Sequence, residues 1–263
     1  MQKPLNFIAL LAIFILQPMA SWASDPDISK LYAEANVNGT LIIASLDGNK
    51  LYLHNPQRAQ QAFLPASTFK IPNTLIALNE GIVQHDKTPI KWDGIKRDLA
   101  VWNQDQTLHT AFTYSCVWCY QQFAANIGQQ KYQHYIKQLH YGNEKTGSEL
   151  TTFWLEGDLR ISTLGQVRFL RKLYNKDLPF KHEHFTLLKK IMLVEKTPDY
   201  TLYAKTGWAT RTTPSHGWYV GYIETKTNTW LFANNIQIDS SAELPLRKQL
   251  VMAALKKKGI IPY

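Results

Sequence analysis

The stretch FLPASTFKIPNTLIALNEG, residues 63–81, sets Ser67 and Lys70 three positions apart inside an apolar run. The spacing of its apolar residues predicts a buried helix that opens at Ser67, and positions i and i+3 of a helix share a face, so the two side chains can touch. A helix start also offers unpaired backbone N–H groups and the positive end of the dipole, both suited to a developing oxyanion. Serine is a weak nucleophile without an adjacent base. Lysine becomes a base only when neutral, and apolar neighbours such as Phe69 and Ile71 favour that form by desolvating the amine. Taken alone, S-x-x-K also describes a capped helix carrying a solvated lysine. The surrounding sequence decides between the two.

On the N-terminal side, GTLIIASL (Gly39 to Leu46) and KLYLHN (Lys50 to Asn55) read as two strands joined through Asp47-Gly48-Asn49, a hairpin turn. Far downstream, YTLYAKTG (Tyr200 to Gly207), GWYVGYIET (Gly217 to Thr225) and TWLFANNIQI (Thr229 to Ile238) read as three more strands, followed by a helix over Leu244 to Lys258 with lysines in its last turn. The middle is helical. Ala111 to Gly128 and Gln129 to Gly142 are each expected to form one helix closed by glycine, and Thr163 with Gln166 makes a capping box for a third. A lone hairpin is marginal in water, so the early and late strands are expected to join one antiparallel sheet. The predicted fold class is therefore α+β: N- and C-terminal strands in one sheet flanked by helices, an all-helical lobe inserted within roughly 68–195, and the active site at the lobe junction.

Residues 1–23 read as an export signal: Lys3, then the apolar run Phe7 to Leu16, then small residues at Ser21 and Ala23 before a cut. The run is too short for a stable membrane anchor, and no Cys follows the cut to carry a lipid. The mature chain, 24–263, is expected to be one soluble catalytic domain in the periplasm, with no membrane span. The net charge of +9 is scattered apart from Lys256-Lys257-Lys258, which argues against nucleic acid as a partner. Cys116 and Cys119 in YSCVWCY are the only cysteines, and with no second C-x-x-C they are expected to be packed structural residues; their redox state is left open. His182-Glu183-His184 lacks the H-E-x-x-H spacing of a zinc site, so no metal is expected.

Two further elements follow S-x-x-K in order: Ser115-Cys116-Val117 and Lys205-Thr206-Gly207. Together the three resemble the penicillin-recognising serine enzymes. LPASTFKIPN, S-x-V, Tyr141-Gly142-Asn143, FWLEGDLRIS (Phe153 to Ser162), KTGW (Lys205 to Trp208) and LPLRK (Leu244 to Lys248) narrow the resemblance to the class D β-lactamases, the oxacillinases, over essentially the whole mature chain.

That resemblance implies a serine β-lactamase that opens the ring of penicillins or oxacillins and confers antibiotic resistance. Ser67 would be acylated, with the N–H groups of Ser67 and Trp208 as oxyanion hole. Lys70 would carry a carbamate made from CO₂ or bicarbonate, the general base of both half-reactions, with Trp154 donating to it and Val117 covering it. Ser115 would relay a proton to the leaving nitrogen, while Lys205, Thr206, Gly207 and Arg247 bind the substrate carboxylate. No cofactor other than CO₂ is implied, and a homodimer is left open. Many relatives have Pro where Trp118 stands, which leaves the wall beside Ser115 unspecified. The loop Ala209 to His216, carrying Arg211, influences in the family which β-lactams fit, carbapenems included. Two other users of this scaffold are the alternatives. A cell-wall transpeptidase or carboxypeptidase usually presents S-x-N rather than S-x-V, and a β-lactam sensor domain comes with membrane spans and a metalloprotease segment.

Overall fold

The computed structural model describes residues 23–263, so the expected export signal lies outside the described residues apart from its last position. The chain runs through α1 (Pro26–Glu34), β1 (Gly39–Ser45), β2 (Leu51–His54), α2 (Pro56–Gln60) and β3 (Ala62–Phe63) into a 3₁₀ turn (Ala66–Phe69) that continues as α3 (Lys70–Asn79). Next come β4 (Pro89–Ile90), β5 (Gln106–Thr107), α4 (Leu108–Thr113), α5 (Val117–Ile127), α6 (Gln129–Leu139), β6 (Ile161–Ser162), α7 (Thr163–Asn175) and α8 (His182–Met192). The last part holds β7 (Leu193–Lys196), β8 (Tyr200–Ala209), β9 (His216–Thr225), β10 (Thr229–Gln237) and α9 (Leu246–Lys257).

Early and late strands do join one antiparallel sheet, in the order β2-β1-β10-β9-β8-β7. Ile42 of β1 lies opposite Ala233 of β10, which fixes the N-terminal hairpin beside the C-terminal strands. Strand side chains alternate between faces, and here both faces are covered. Leu41 and Ile43 pack with Ile28 of α1 and Val251 of α9, whereas Ile42 and Ala44 join the core shared with the helical lobe. Every residue of β1 is consequently buried, and its centre, Leu41 to Ala44, reads as an apolar run rather than an alternating one.

Several local expectations are corrected. The helix expected over Ala111 to Gly128 is two helices, α4 and α5, broken because Ser115 takes a left-handed backbone (φ 55°) that no helix accommodates. The cap of α7 is Ser162, whose Oγ accepts from the Gly165 N–H at 3.0 Å; the Gln166 side chain donates to Thr68 Oγ1 instead of closing a box with Thr163. His140, not Gly142, caps α6. Gly142 is required for another reason: its φ is positive and a Cβ there would collide with the Arg160 carbonyl. β7, which was not expected, forms the sheet edge with Leu193 and Val194 exposed.

Candidate active site

Where β8 of the sheet meets the helical lobe, the 3₁₀ turn lifts Ser67 toward the cleft and drops Lys70 into the core. Ala66 enters that turn with a left-handed φ of 47°, held by its N–H donating to the Trp154 carbonyl at 2.9 Å. Lys70 is 1% exposed, and its Nζ donates to Ser67 Oγ at 3.3 Å. Its amine also sits 4.7 Å from the centre of the Tyr120 ring, and Tyr120 was not anticipated as a neighbour. Burial pushes the Lys70 pKa well below the ordinary lysine value, and the charge of Lys205 adds to the shift. No carboxylate among the described residues pairs with it. The Trp154 ring stacks on Phe69 at 5.7 Å, fully buried, with its indole N–H lacking a hydrogen-bond partner. An orphan buried donor is costly unless a further acceptor completes the site.

The second serine reaches the same place from the break between α4 and α5. Lys205 Nζ, from β8, donates to Ser115 Oγ at 2.5 Å and to the Thr206 carbonyl at 3.1 Å. Burial lowers the Lys205 pKa to about 7, with a further contribution from the Arg247 charge. Arg247 stands at the first turn of α9 and is held by donating from Nε to the Leu244 carbonyl and from Nη1 to the Gly207 carbonyl, both at 2.8 Å. Burial lowers its pKa to about 10, so it remains cationic near neutrality.

β8 approaches the nucleophile turn backbone to backbone. A Cβ on Gly207 would lie 3.2 Å from the Pro65 carbonyl oxygen and 3.3 Å from the Thr68 nitrogen, so a larger residue there would press the strand and the turn apart by a few tenths of an ångström. Arg247 crosses β9 at Gly217, where a Cβ would lie 2.5 Å from Arg247 Cδ. The result is a cleft of about 850 Å³ whose walls include Ser67, Ser115, Val117, Thr206, Gly207, Trp208 and Arg247. Lys96 and Arg247 line this cleft and Lys205 backs it, none of them in an ion pair among the described residues, an arrangement that attracts an anionic ligand.

All ten site residues singled out from sequence therefore gather here, with Lys70 and Trp154 behind the wall and the others on or against it. The sequence reading missed the opposite wall, Lys96 to Leu99 with Trp102. That segment is fastened by Trp118, whose indole N–H donates to the Trp102 carbonyl at 3.0 Å and whose ring lies under the Arg97 guanidinium at 5.4 Å. Trp118 thus defines the wall beside Ser115 that the sequence left unspecified. Arg211 pairs with Glu156 across the mouth at 2.6 Å. Cys116 and Cys119 are buried, as expected of packed residues, and are joined in a disulfide with Cα atoms 5.5 Å apart.

The geometry agrees with the kinship of the chain. The penicillin binding protein transpeptidase domain matches residues 34–256. Beta-lactamase OXA-48 of Klebsiella pneumoniae is 40% identical, with 98% of each chain covered, and beta-lactamase OXA-20 of Pseudomonas aeruginosa is 40% identical over 89% of this chain and 87% of its own. Among solved structures, the class D enzyme FUS-1 (OXA-85) of Fusobacterium nucleatum subsp. polymorphum superposes with a TM-score of 0.88 at 38% identity, covering 91% of this chain and all of its own. The class D β-lactamase YbXI from Nostoc gives 0.87 at 40% identity, covering 88% and 98%. An S-x-x-K turn, an S-x-V helix start and a K-T-G strand around one anion-attracting cleft, shared over nearly the full length with such relatives, make this chain a member of the class D serine β-lactamases.

Proposed function

We propose that the protein hydrolyses penicillin-type β-lactams through a Ser67 acyl-enzyme, with Lys70 working as its carbamate. The observation that carries this reading is the buried Lys70 amine 3.3 Å from Ser67 Oγ, its pKa pushed down by burial, with the unpartnered indole N–H of Trp154 in the same core, its ring stacked on Phe69. A neutral amine can add CO₂, and the resulting carbamate supplies a carboxylate base for activating Ser67 and later water. Trp154 would donate to it, and Val117, half-buried against the core, would shield it from solvent.

In the first half-reaction Ser67 Oγ bonds to the ring carbonyl while the N–H groups of Ser67 and Trp208 hold the oxyanion; loss of one such donor typically costs about a hundred- to a thousandfold. The carbon–nitrogen bond of the ring then breaks, and Ser115 passes a proton to the departing nitrogen. Arg247, Thr206 and Lys205 orient the substrate by its carboxylate, which a guanidinium can grip through parallel donors. Water releases the acyl group and restores Ser67. The chain would act as a single exported catalytic domain, 24–263, in the periplasm and protect its cell from β-lactams.

Steady-state turnover of a benzylpenicillin and an oxacillin tests this. Activity should fall in CO₂-depleted buffer and return with bicarbonate. One equivalent of acylation with no further turnover would identify a sensor or a cell-wall enzyme instead.

A further inference from the structure

The geometry points to the Cys116–Cys119 disulfide as the positioning device for Ser115, locking the start of α5 so that the second serine stays in line with Lys205 and the cleft. This rests on the reading of Ser115 as the proton relay.

The bridge directly follows Ser115, and the four-residue loop it closes contains Val117, another cleft residue, and Trp118, the anchor of the opposite wall. Cys116 is also the N-cap of α5, its Sγ accepting from the Cys119 N–H at 3.3 Å. Helix first turns lack intrahelical partners for their N–H groups and fray most easily. Ser115 needs more restraint than an ordinary residue, because a left-handed backbone on a side chain other than glycine persists only where the surroundings over-determine it. Two backbone hydrogen bonds contribute, from Ser115 N–H to the Phe112 carbonyl at 3.2 Å and from Cys116 N–H to the Ala111 carbonyl at 2.9 Å. The covalent tie fixes the residue on the other side.

A global stabilising role explains the bridge poorly. The chain-entropy effect of a disulfide grows with the logarithm of the loop it closes, so so short a loop restrains little of the unfolded chain. The core is already extensive, and α5 is anchored in it by its own buried aromatic residues Tyr120 and Phe123. Both cysteines are fully buried, which keeps the bridge from exchanging with outside thiols and leaves local geometry as its effect. Misplacing a reacting group by about 1 Å can cost on the order of a hundredfold in rate.

The test is a double-mutant cycle on the mature enzyme in bicarbonate buffer. Cys116→Ser with Cys119→Ala keeps an acceptor at the N-cap and removes only the tie. This pair is expected to lower kcat/KM for benzylpenicillin about tenfold while the melting temperature shifts by a few degrees at most. In a Ser115→Ala background the same pair is expected to cost nothing further, since the residue it positions is gone. Unchanged activity in the untied enzyme, or an equal loss in both backgrounds, would overturn the proposal. Full activity of Ser115→Ala itself would instead remove the relay role on which the proposal stands. Should the untied pair not fold, wild-type chain refolded with dithiothreitol takes its place; two electrons and two protons pass from that dithiol to the cysteines, and mass spectrometry counts the thiols. If neither form folds, the bridge is a folding requirement and the proposal fails.

Discussion

Among the described residues, lysines are drawn out of solvent on opposite terms at two places, half-buried at Lys258 and fully buried at Lys70 and Lys205. Where α1 meets the end of α9, the Lys258 side chain is 11% exposed and lies between Asp25 at 2.6 Å and Asp27 at 2.7 Å. Burial pulls its pKa down, but the hydrogen bonds and charges of the two aspartates outweigh it and the net shift is upward. At the lobe junction Lys70 and Lys205 are buried with only other cations nearby, and both shift down. The first setting is what a stability role demands. The second costs stability, and it is the setting that the proposed carbamate on Lys70 and the proposed grip on a substrate carboxylate would use.

The comparison breaks most visibly at Lys70. Lys70→Ala should lower turnover of a penicillin by about a hundred- to ten-thousandfold, the usual range for a lost general base, and trap acyl-enzyme that mass spectrometry detects. Full activity would return Lys70 to the class of ordinary buried cations. Arg247→Ala comes next: kcat/KM should drop about ten- to a hundredfold, mainly through KM, as charge-assisted hydrogen bonds to the substrate are lost. An unchanged KM would place the carboxylate elsewhere.

Stability offers a sharper contrast because the two settings have opposite signs. Lys205 loses its proton at about pH 7 when folded but near the ordinary lysine value of 10.5 when unfolded. The unfolded chain therefore binds more protons between these limits, and wild-type stability should climb across that window. Lys205→Met in CO₂-free buffer should stabilise the fold by about 1–4 kcal/mol near pH 6, a gain that shrinks as pH rises from 7 toward 10.5. A pH-independent difference in thermal unfolding would show that Lys205 is not buried as a charge. Lys258→Met should do the reverse on a smaller scale. Its contribution is present below the ordinary lysine pKa and lost as pH rises through the raised folded value, so below pH 10 the variant should lose about 1 kcal/mol or less. Its penicillin turnover should stay at wild-type level.

Much of this was legible because the chemistry is packed into short segments. Ser67 and Lys70 meet within one turn, and K-T-G needs only to be a strand; local periodicity suffices for both. What stayed hidden depends on residues far apart in sequence. The left-handed Ser115 has no compositional sign, because positive φ on a serine is imposed by tertiary contacts, so α4 and α5 read as one helix. Ser162 and Thr163 are both good caps, and the choice falls to Ser162 while Gln166 is recruited to Thr68, 98 residues earlier. C-x-x-C is equally compatible with packed thiols and with the bridge observed. The Tyr120 ring over Lys70 and the wall built on Trp118 are products of helix packing, which the apolar pattern permits without specifying.

The pairing of β1 with β10 also has a consequence in time. Ile42 finds Ala233 only after nearly the whole chain has been made, and so distant a pairing folds slowly because the long intervening loop must close first. The sheet cannot be completed while the chain is partly synthesised, so β1 and β2 wait without their central neighbour β10 until nearly all of the chain has emerged.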